Sequence, residues 1–306
     1  MAEPGWVEVH APTVTLRALH WAPPEAVQNA PIALCLHGFP DTAHGWRRLA
    51  PRLAAAGWRV IAPFMRGYAP STIPTDGSYH VGAQMHDALQ VLDKAGPTGR
   101  DVVIGHDWGA IAAAGLAAMP DSPFRKAVLM SVPPAQALWP RGGLGIRRSL
   151  PALLPAQVLR SWYIIYFQLP WLPERSSSWV VPLLWRRWSP GFDASEDLRH
   201  VDAAIGSPQS WRAALGPYRA TVRPGKPPPQ YADLDPYWRR PLRLPTLYLH
   251  GADDGCWGVK LAERARIALP PGGSMFVVEE AGHFLHLERP DIVSDRILDF
   301  IGRGCD

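Results

Sequence analysis

The sequence predicts an α/β protein whose mostly parallel sheet carries helices on both faces. Short apolar runs of strand length alternate with stretches that have the spacing and end signals of helices. Runs that are apolar throughout, such as residues 32–36, are typical of strands covered on both sides. A chain of 306 residues, 47% of them hydrophobic, is long enough to bury one large core.

The strands are predicted from β-branched and apolar runs that are bounded by turn residues. In chain order they cover residues 6–10, 13–21, 32–36, 59–62, 102–104, 127–131, 246–250 and 275–278. The first two are joined by a proline-bearing turn, which favours an antiparallel start to the sheet, and a loop at residues 23–31 follows them.

The helices are predicted from their residue pattern and from the residues that end them. They cover residues 46–56, 82–95, 110–119, 259–268 and 290–301. Gly57 would end the first helix and Gly96 the second, because glycine commonly follows the last helical residue. The repeated order of strand, helix and strand predicts parallel pairing.

Residues 133–241 differ in character and predict an inserted helical cap, with residues 1–132 and 242–306 as the core domain. Prolines multiply here, strand-like runs stop, and eight of the 14 tryptophans fall in this segment. Its formal charge is +7, against −3 for the rest of the chain. The basic residues are scattered rather than patterned with stacking aromatics, so we expect no nucleic-acid partner. Six tryptophans are expected to pack within the cap or to line an apolar pocket: Trp162, Trp171, Trp179, Trp185, Trp188 and Trp211.

Composition excludes several other classes of protein. No run of 18 apolar residues occurs, and residues 1–6 lack the basic patch and apolar stretch of a signal peptide, so we expect a cytoplasmic protein without a membrane span. Cys35, Cys256 and Cys305 are odd in number and unrelated in spacing, and Cys35 lies in an apolar strand run. We therefore expect no disulfide and no metal site.

A candidate nucleophile is Asp107, which lies between Gly105 and Gly109 after the apolar run at residues 102–104. The pattern predicts a strand, a sharp turn and a helix, in which small residues two before and two after the acid let the backbone segments approach closely. A carboxylate attacks an ester or amide carbonyl poorly but displaces a leaving group at saturated carbon, which indicates an epoxide or an alkyl halide. The alternative is that Asp107 only caps the helix that follows.

Two more residues give this acid a catalytic context. Asp254 follows the strand at residues 246–250, and His283 follows the last strand. The order nucleophile, acid, histidine is that of a catalytic triad on a strand–turn–helix scaffold. Asp254 is preferred to Asp253 as the triad acid, although either side chain could instead bind backbone amides in its turn.

The segment His37-Gly38-Phe39-Pro40 ends the third strand, where a backbone N–H of an oxyanion hole is expected. We predict the two donors to be the N–H groups of Phe39 and Trp108, which would stabilise charge on an ester carbonyl oxygen. His37 is expected to support this loop. His37, Pro40, Trp108 and Phe284 are predicted to line the substrate pocket.

Together these motifs resemble those of the epoxide hydrolases of the α/β-hydrolase fold, over nearly the whole chain. The resemblance rests on residues 37–40, 105–109, 251–254 and 282–283, and on Arg66-Gly67-Tyr68 with Ser71. It implies an eight-stranded, mostly parallel sheet with an inserted helical cap. Phe64 and Ala69 depart from the family, in which an acid and a glycine are common at these positions.

Two cap segments extend the resemblance. Residues 163–168 and 217–220 look like the family's two cap motifs, whose tyrosines correspond to Tyr163 and Tyr218. In that family the two phenols bond the epoxide oxygen, and an alkoxide formed by ring opening needs such an acid. Haloalkane dehalogenases share the core motifs, but a halide leaves without a proton, and Phe39 supplies no side-chain donor for it.

The sequence therefore predicts an epoxide hydrolase in which Asp107 forms an alkyl ester and His283, oriented by Asp254, activates the water that cleaves it. Substrate and water are the expected partners, no cofactor or metal is expected, and a homodimer is possible. The alternatives are a haloalkane dehalogenase and a catalytically silent binding protein of the same fold.

Overall fold

Eight strands form one sheet. In chain order they are β1 (Gly5–His10), β2 (Thr15–Trp21), β3 (Ile32–Leu36), β4 (Arg59–Pro63), β5 (Val102–His106), β6 (Lys126–Met130), β7 (Thr246–Gly251) and β8 (Ser274–Val278). The computed structural model describes residues 3–24, 29–137, 150–223 and 225–302, without the side chains of 150–154. Across the sheet the order is β1-β2-β4-β3-β5-β6-β7-β8. The pairs β1/β2 and β2/β4 are antiparallel, and the other five are parallel.

The register of the sheet brings the predicted site segments together. β5 lies between β3 and β6, and Gly105 pairs with Leu36 on one side and with Leu129 on the other. The segments that follow β3 and β5 therefore leave the same edge side by side. Gly251 pairs with Val278, so the segments after β7 and β8 are also neighbours at that edge. In open α/β sheets this is the edge at which sites are built.

Twelve α-helices are described. They are α1 (Ala50–Ala55), α2 (Val81–Ala95), α3 (Trp108–Ala118), α4 (Leu150–Arg160), α5 (Trp162–Tyr166), α6 (Ser177–Trp188), α7 (Ser195–Ile205), α8 (Pro208–Ala214), α9 (Gly216–Val222), α10 (Val259–Ala262), α11 (Leu285–Glu288) and α12 (Pro290–Gly302). Short 3₁₀ segments occur at Ala43–Arg47, Ala135–Ala137, Pro173–Arg175, Pro229–Tyr231, Asp235–Arg239 and Glu263–Ile267.

Two predicted helices differ from the structure. Residues 46–56 form the end of a 3₁₀ turn and then α1, because Pro51 in the first turn of α1 has no N–H to continue a helix from the preceding turn. Thr42 caps the 3₁₀ turn by accepting a hydrogen bond from the His44 N–H. Residues 259–268 form the four-residue α10 followed by a 3₁₀ segment. The prediction of an eight-stranded, mostly parallel α/β sheet is confirmed.

Between β6 and β7 the described residues contain helices α4 to α9 and no strand. The domain boundaries at residues 133 and 241 remain predictions. Within the described ranges, none of the helices has the length and hydropathy needed to cross a membrane. Cys35 and Cys256 are free and buried, whereas Cys305 lies outside the described residues.

Candidate active site

Asp107 occupies the sharp turn between β5 and α3, with φ 51° and ψ −117°. Positive φ is costly for a residue with a side chain and is found where the surrounding structure enforces it. Here the enforcing contact is close backbone packing, since a Cβ on Gly109 would overlap the carbonyl of Leu36. The Asp107 side chain makes no capping hydrogen bond to α3, so the helix-cap alternative is wrong.

The Asp107 carboxylate instead faces the segment that follows β3. Its Oδ1 accepts a 2.9 Å hydrogen bond from the Phe39 N–H. A Cβ added to Gly38 would lie 2.7 Å from the Trp108 nitrogen and would collide with the Asp107 carboxylate. One of the two predicted oxyanion donors, the Phe39 N–H, thus contacts the carboxylate, and only glycine at position 38 leaves room for the side chain and the Trp108 nitrogen.

His283 lies on the other side of the carboxylate. Its Nε2 is 3.6 Å from Asp107 Oδ2, and its Nδ1–H donates a 2.9 Å hydrogen bond to Asp254 Oδ2. All three side chains are buried. Asp254 Oδ1 also accepts hydrogen bonds from the N–H groups of Cys256 and Trp257 at 2.6 and 3.0 Å. Asp254 thus makes both kinds of contact considered for it, one on each oxygen, whereas Asp253 is exposed.

Electrostatics tie these groups into an ion-pair network. Burial alone would lower the pKa of His283, but the carboxylates of Asp254 and Asp107 outweigh burial and raise that pKa from 6.5 to about 10. Burial would raise the pKa of Asp254, yet His283 and His250 hold it below its usual value. A cationic imidazole between two carboxylates is the consequence.

Two phenols from the helices between β6 and β7 point toward this network. Tyr163 on α5 and Tyr218 on α9 are each 3% exposed, and their ring centroids are 5.7 Å apart. The Tyr163 hydroxyl contacts the Cys256 Sγ at 3.4 Å, but the Tyr218 hydroxyl has no hydrogen-bond partner among the described residues. Burial raises the pKa of both phenols, so both remain protonated and able to donate.

A cavity of about 240 Å³ opens between Asp107 and the two phenols. Its lining is mostly apolar and includes Asp107, Trp108, Tyr163, Tyr218, Trp238 and Trp257. Of the six cap tryptophans considered above, Trp185, Trp188 and Trp211 are at most 1% exposed and pack in the interior, whereas Trp171 and Trp179 are 66% and 49% exposed. None of the six lines this cavity.

Three of the four predicted pocket residues do not line this cavity. Each of them makes a contact elsewhere in the protein. His37 accepts a 3.0 Å hydrogen bond from the Met65 N–H, which is the loop-supporting role expected of it. The Pro40 carbonyl accepts a 2.9 Å hydrogen bond from the Trp185 indole. Phe284 stacks on Trp185 with ring centroids 3.5 Å apart. Trp108 alone of the four lines the cavity.

The segment that follows β3 also packs against the helices between β6 and β7. The Phe39 ring is fully buried, with ring centroids 5.2 Å from Tyr218, 5.5 Å from Phe167 and 5.8 Å from Trp211. Residues on or at the ends of three helices between β6 and β7 thus pack around the residue whose N–H reaches Asp107.

Sequence reasoning missed Cys256 as a neighbour of Asp107 and His283. Its Sγ, an Asp107 carboxylate oxygen and a His283 ring nitrogen all lie within 4.8 Å of one another. A second buried group of the same kind contains Asp41, His106 and His286. The only signal for Cys256 in the sequence is its place two residues after Asp254.

Comparison with known proteins supports both fold and family. Residues 31–161 match the family model described as the alpha/beta hydrolase fold. The chain is 31% identical over 280 residues to the AB hydrolase superfamily protein YfhM of Bacillus subtilis, covering 90% of this chain and 91% of that protein. It is 28% identical to epoxide hydrolase B of Mycobacterium tuberculosis, over 94% and 95% of the two chains.

Solved structures agree on the fold. An epoxide hydrolase from an endophytic Streptomyces superimposes with a TM-score of 0.74 at 23% identity, over 99% of this chain and 96% of that one. Epoxide hydrolase A from Mycobacterium thermoresistibile gives a TM-score of 0.72 at 24% identity, over 98% of both chains. The resemblance to epoxide hydrolases of this fold is confirmed by these relatives.

Proposed function

Because this chain belongs to the α/β-hydrolase superfamily, we propose that it is an epoxide hydrolase that opens its substrate by way of an ester on Asp107. The observation that carries the proposal is the cavity with a carboxylate at one end and two protonated phenols facing it. Epoxide opening needs a nucleophile at a ring carbon and an acid at the ring oxygen, on opposite sides of the bond that breaks. The relationship to epoxide hydrolase B of M. tuberculosis supports the same substrate class.

In the first step, Asp107 Oδ2 attacks a ring carbon. Oδ1 is held by the Phe39 N–H, which leaves Oδ2 as the free oxygen. The carbon–oxygen bond of the ring breaks as the ester bond forms, and Tyr163 and Tyr218 hydrogen-bond to and protonate the departing alkoxide. Tyr218 is the donor already available, since its hydroxyl has no competing partner among the described residues.

In the second step, water cleaves the ester at its carbonyl carbon. The negative charge that develops on Oδ1 is stabilised by the N–H groups of Phe39 and Trp108. Esterification removes the charge of Asp107, one of the two carboxylates that raise the pKa of His283, so this pKa falls once the ester has formed. His283 then releases its Nε2 proton, which by way of solvent restores the proton that the phenols gave to the alkoxide. The neutral imidazole accepts a proton from the attacking water, while Asp254 holds Nδ1. The base therefore becomes available only after alkylation, at the hydrolytic step that requires it.

The substrate class follows from the cavity wall. The lining is mostly apolar, and apart from Thr221, whose hydroxyl donates to the Pro217 carbonyl, its polar side chains are those of the reacting end and indoles, which favours an apolar epoxide. Neither bond-making step requires a cofactor. The residues supply the nucleophile, the acids, the base and the donors for the oxyanion.

Oxygen labelling tests this mechanism directly. A single turnover in heavy-oxygen water, with enzyme in excess over an aryl or alkyl epoxide, should deliver unlabelled diol and leave the label on the Asp107 carboxylate. Heavy oxygen in the first-turnover diol would show direct attack of water on the epoxide and overturn the ester mechanism. Failure to form diol from a panel of aryl, alkyl and fatty epoxides would favour the silent binding protein. Halide release from haloalkanes without epoxide turnover would favour the dehalogenase.

A further inference from the structure

Three different metal-ligand types converge beside the cavity. The carboxylate of Asp107, the thiol of Cys256 and the imidazole of His283 place one ligand atom each within 4.8 Å of the other two. All three residues are buried, with exposures of 4% or less. Oxygen, sulfur and nitrogen ligands of this kind are those that Zn²⁺ and related divalent ions take in proteins.

The imidazole is already arranged as a metal ligand. His283 Nδ1–H donates to Asp254 Oδ2 at 2.9 Å, which is the carboxylate–histidine contact that orients metal-bound imidazoles. The other ring nitrogen, Nε2, is fully buried and has no hydrogen-bond partner among the described residues. It points at Asp107 Oδ2, 3.6 Å away.

The spacing of the imidazole nitrogen and the carboxylate oxygen suits a tetrahedral ion. Zinc–nitrogen and zinc–oxygen bonds of about 2.0–2.2 Å place neighbouring ligand atoms roughly 3.4 Å apart in a tetrahedron. The separation of 3.6 Å between Nε2 and Oδ2 is close to that value. The Cys256 Sγ is also 3.4 Å from the Tyr163 hydroxyl, so the third ligand borders the phenol end of the site.

We propose that Asp107, Cys256 and His283 form a binding site for a thiophilic divalent cation of the Zn²⁺ class, and that the bound ion reversibly blocks turnover. Binding replaces the thiol proton of Cys256 and the Nε2 proton of the cationic His283, both of which pass to solvent, and leaves the fourth coordination position to water. An ion held there occupies both the nucleophile and the base, so it competes with substrate. The inhibitory part rests on the proposed function, whereas binding of the ion does not.

The sequence predicts no metal site because the three ligands are distant along the chain and follow no metal-binding spacing. The second buried group provides an internal comparison. Asp41 Oδ2 lies 3.8 Å from His286 Nε2 and 4.0 Å from His106 Nδ1, and this group contains no sulfur. A cation at that group would therefore be coordinated without a thiolate, which a spectroscopic probe distinguishes.

Cobalt substitution tests the site independently of turnover. The purified full chain is titrated with Co²⁺ alone, and the near-ultraviolet absorption of a thiolate–cobalt charge-transfer transition is recorded before and after EDTA. We expect an EDTA-reversible band at one equivalent in the parent and in Cys35→Ser, which removes the other buried free thiol of the described residues. Cys256→Ser should lose the band and bind Zn²⁺ at least about tenfold more weakly, the scale on which supporting contacts alone affect metal sites.

His283→Gln, which removes the imidazole ligand, serves as a second variant. Near-ultraviolet circular dichroism is recorded for each protein to verify folding. Absence of the band in the parent, or its persistence in folded Cys256→Ser, overturns the inference. A cobalt spectrum without a thiolate band places the ion at the Asp41 group or elsewhere and overturns it equally. Inhibition of diol formation by Zn²⁺ should be competitive with epoxide. A thiolate band without any epoxide turnover would refute the proposed function and keep the binding site.

Discussion

Replacing the two phenols by phenylalanine separates their chemistry from their packing. Tyr163→Phe and Tyr218→Phe each keep a buried ring and remove one hydroxyl. A positioned acid contributes roughly 10²–10⁴ in rate, and two phenols on one oxygen partly replace each other, so each single variant should slow alkylation about ten- to a hundredfold. The double variant should lose nearly all epoxide opening, a larger effect than independent packing losses produce.

The two single variants should change the stability of the protein in opposite directions. A buried polar group without a partner costs about 1–3 kcal/mol, and the Tyr218 hydroxyl is such a group among the described residues, so Tyr218→Phe should raise the free energy of unfolding by about 1 kcal/mol. Tyr163→Phe loses only its contact with Cys256, a weak sulfur partner, and should lower this free energy by about 0.5–1 kcal/mol.

Rapid acid quench followed by intact-mass analysis measures alkylation in the first turnover, and urea titration measures stability. Tyr166→Phe is a matched control, because this phenol lies on the same helix α5, hydrogen-bonds to the Leu172 carbonyl and is absent from the cavity wall. The control should alkylate at the parent rate. A double variant that opens epoxides at close to the parent rate would refute the acid role of the phenols.

Two further changes probe the ion-pair network. His283→Gln should alkylate but not turn over, because the amide cannot activate water. Intact-mass analysis should show an increase of one substrate mass at Asp107. Normal turnover, or a folded protein that stays unmodified, would contradict this role of His283. Asp254→Asn should have a lower free energy of unfolding than the parent below pH 6.5. The difference between the two free energies should shrink as the pH rises through about 10. The reason is that the raised pKa of His283 contributes stability that is fully present below pH 6.5 and is lost as the imidazole deprotonates. Urea unfolding of both proteins across this range measures it, and a difference that is constant or grows with pH would contradict the network.

The fold was predictable because its strands can be recognised from their own residues. The run at residues 32–36 is apolar at every position and is buried on both faces as β3. The same reasoning locates β5, β6 and β7. It failed for residues 46–56, where apolar spacing predicts one helix but Pro51 allows a helix to begin only at α1. There the missing backbone N–H of Pro51, and not the apolar spacing, determines where the helix begins.

The site was predictable to the extent that strand ends determine it. Asp107, Asp254 and His283 each follow a parallel strand, so knowing the strands is enough to bring them to one edge. Tyr163 and Tyr218 were inferred only from family resemblance, because nothing in an aromatic-rich segment marks one phenol as unpartnered. Cys256 could not be recognised, since its proximity to Tyr163 depends on how the helices between β6 and β7 lie against the sheet.

In the proposed mechanism, the aromatic contacts of Phe39 would make ester hydrolysis depend on closed packing of the cap against the core. The N–H that would hold the ester oxygen belongs to a residue whose ring is packed against Tyr218, Phe167 and Trp211. If the cap swung away to release product or admit substrate, Phe39 would lose these neighbours and its amide would no longer be held toward Asp107. An ester exposed by such an opening would meet abundant solvent but no prepared oxyanion donor, and would therefore wait for the cap to close again. The open state would then admit substrate and release product, and only the closed state would hydrolyse the ester. Movement of the cap would thus determine when hydrolysis occurs in each catalytic cycle.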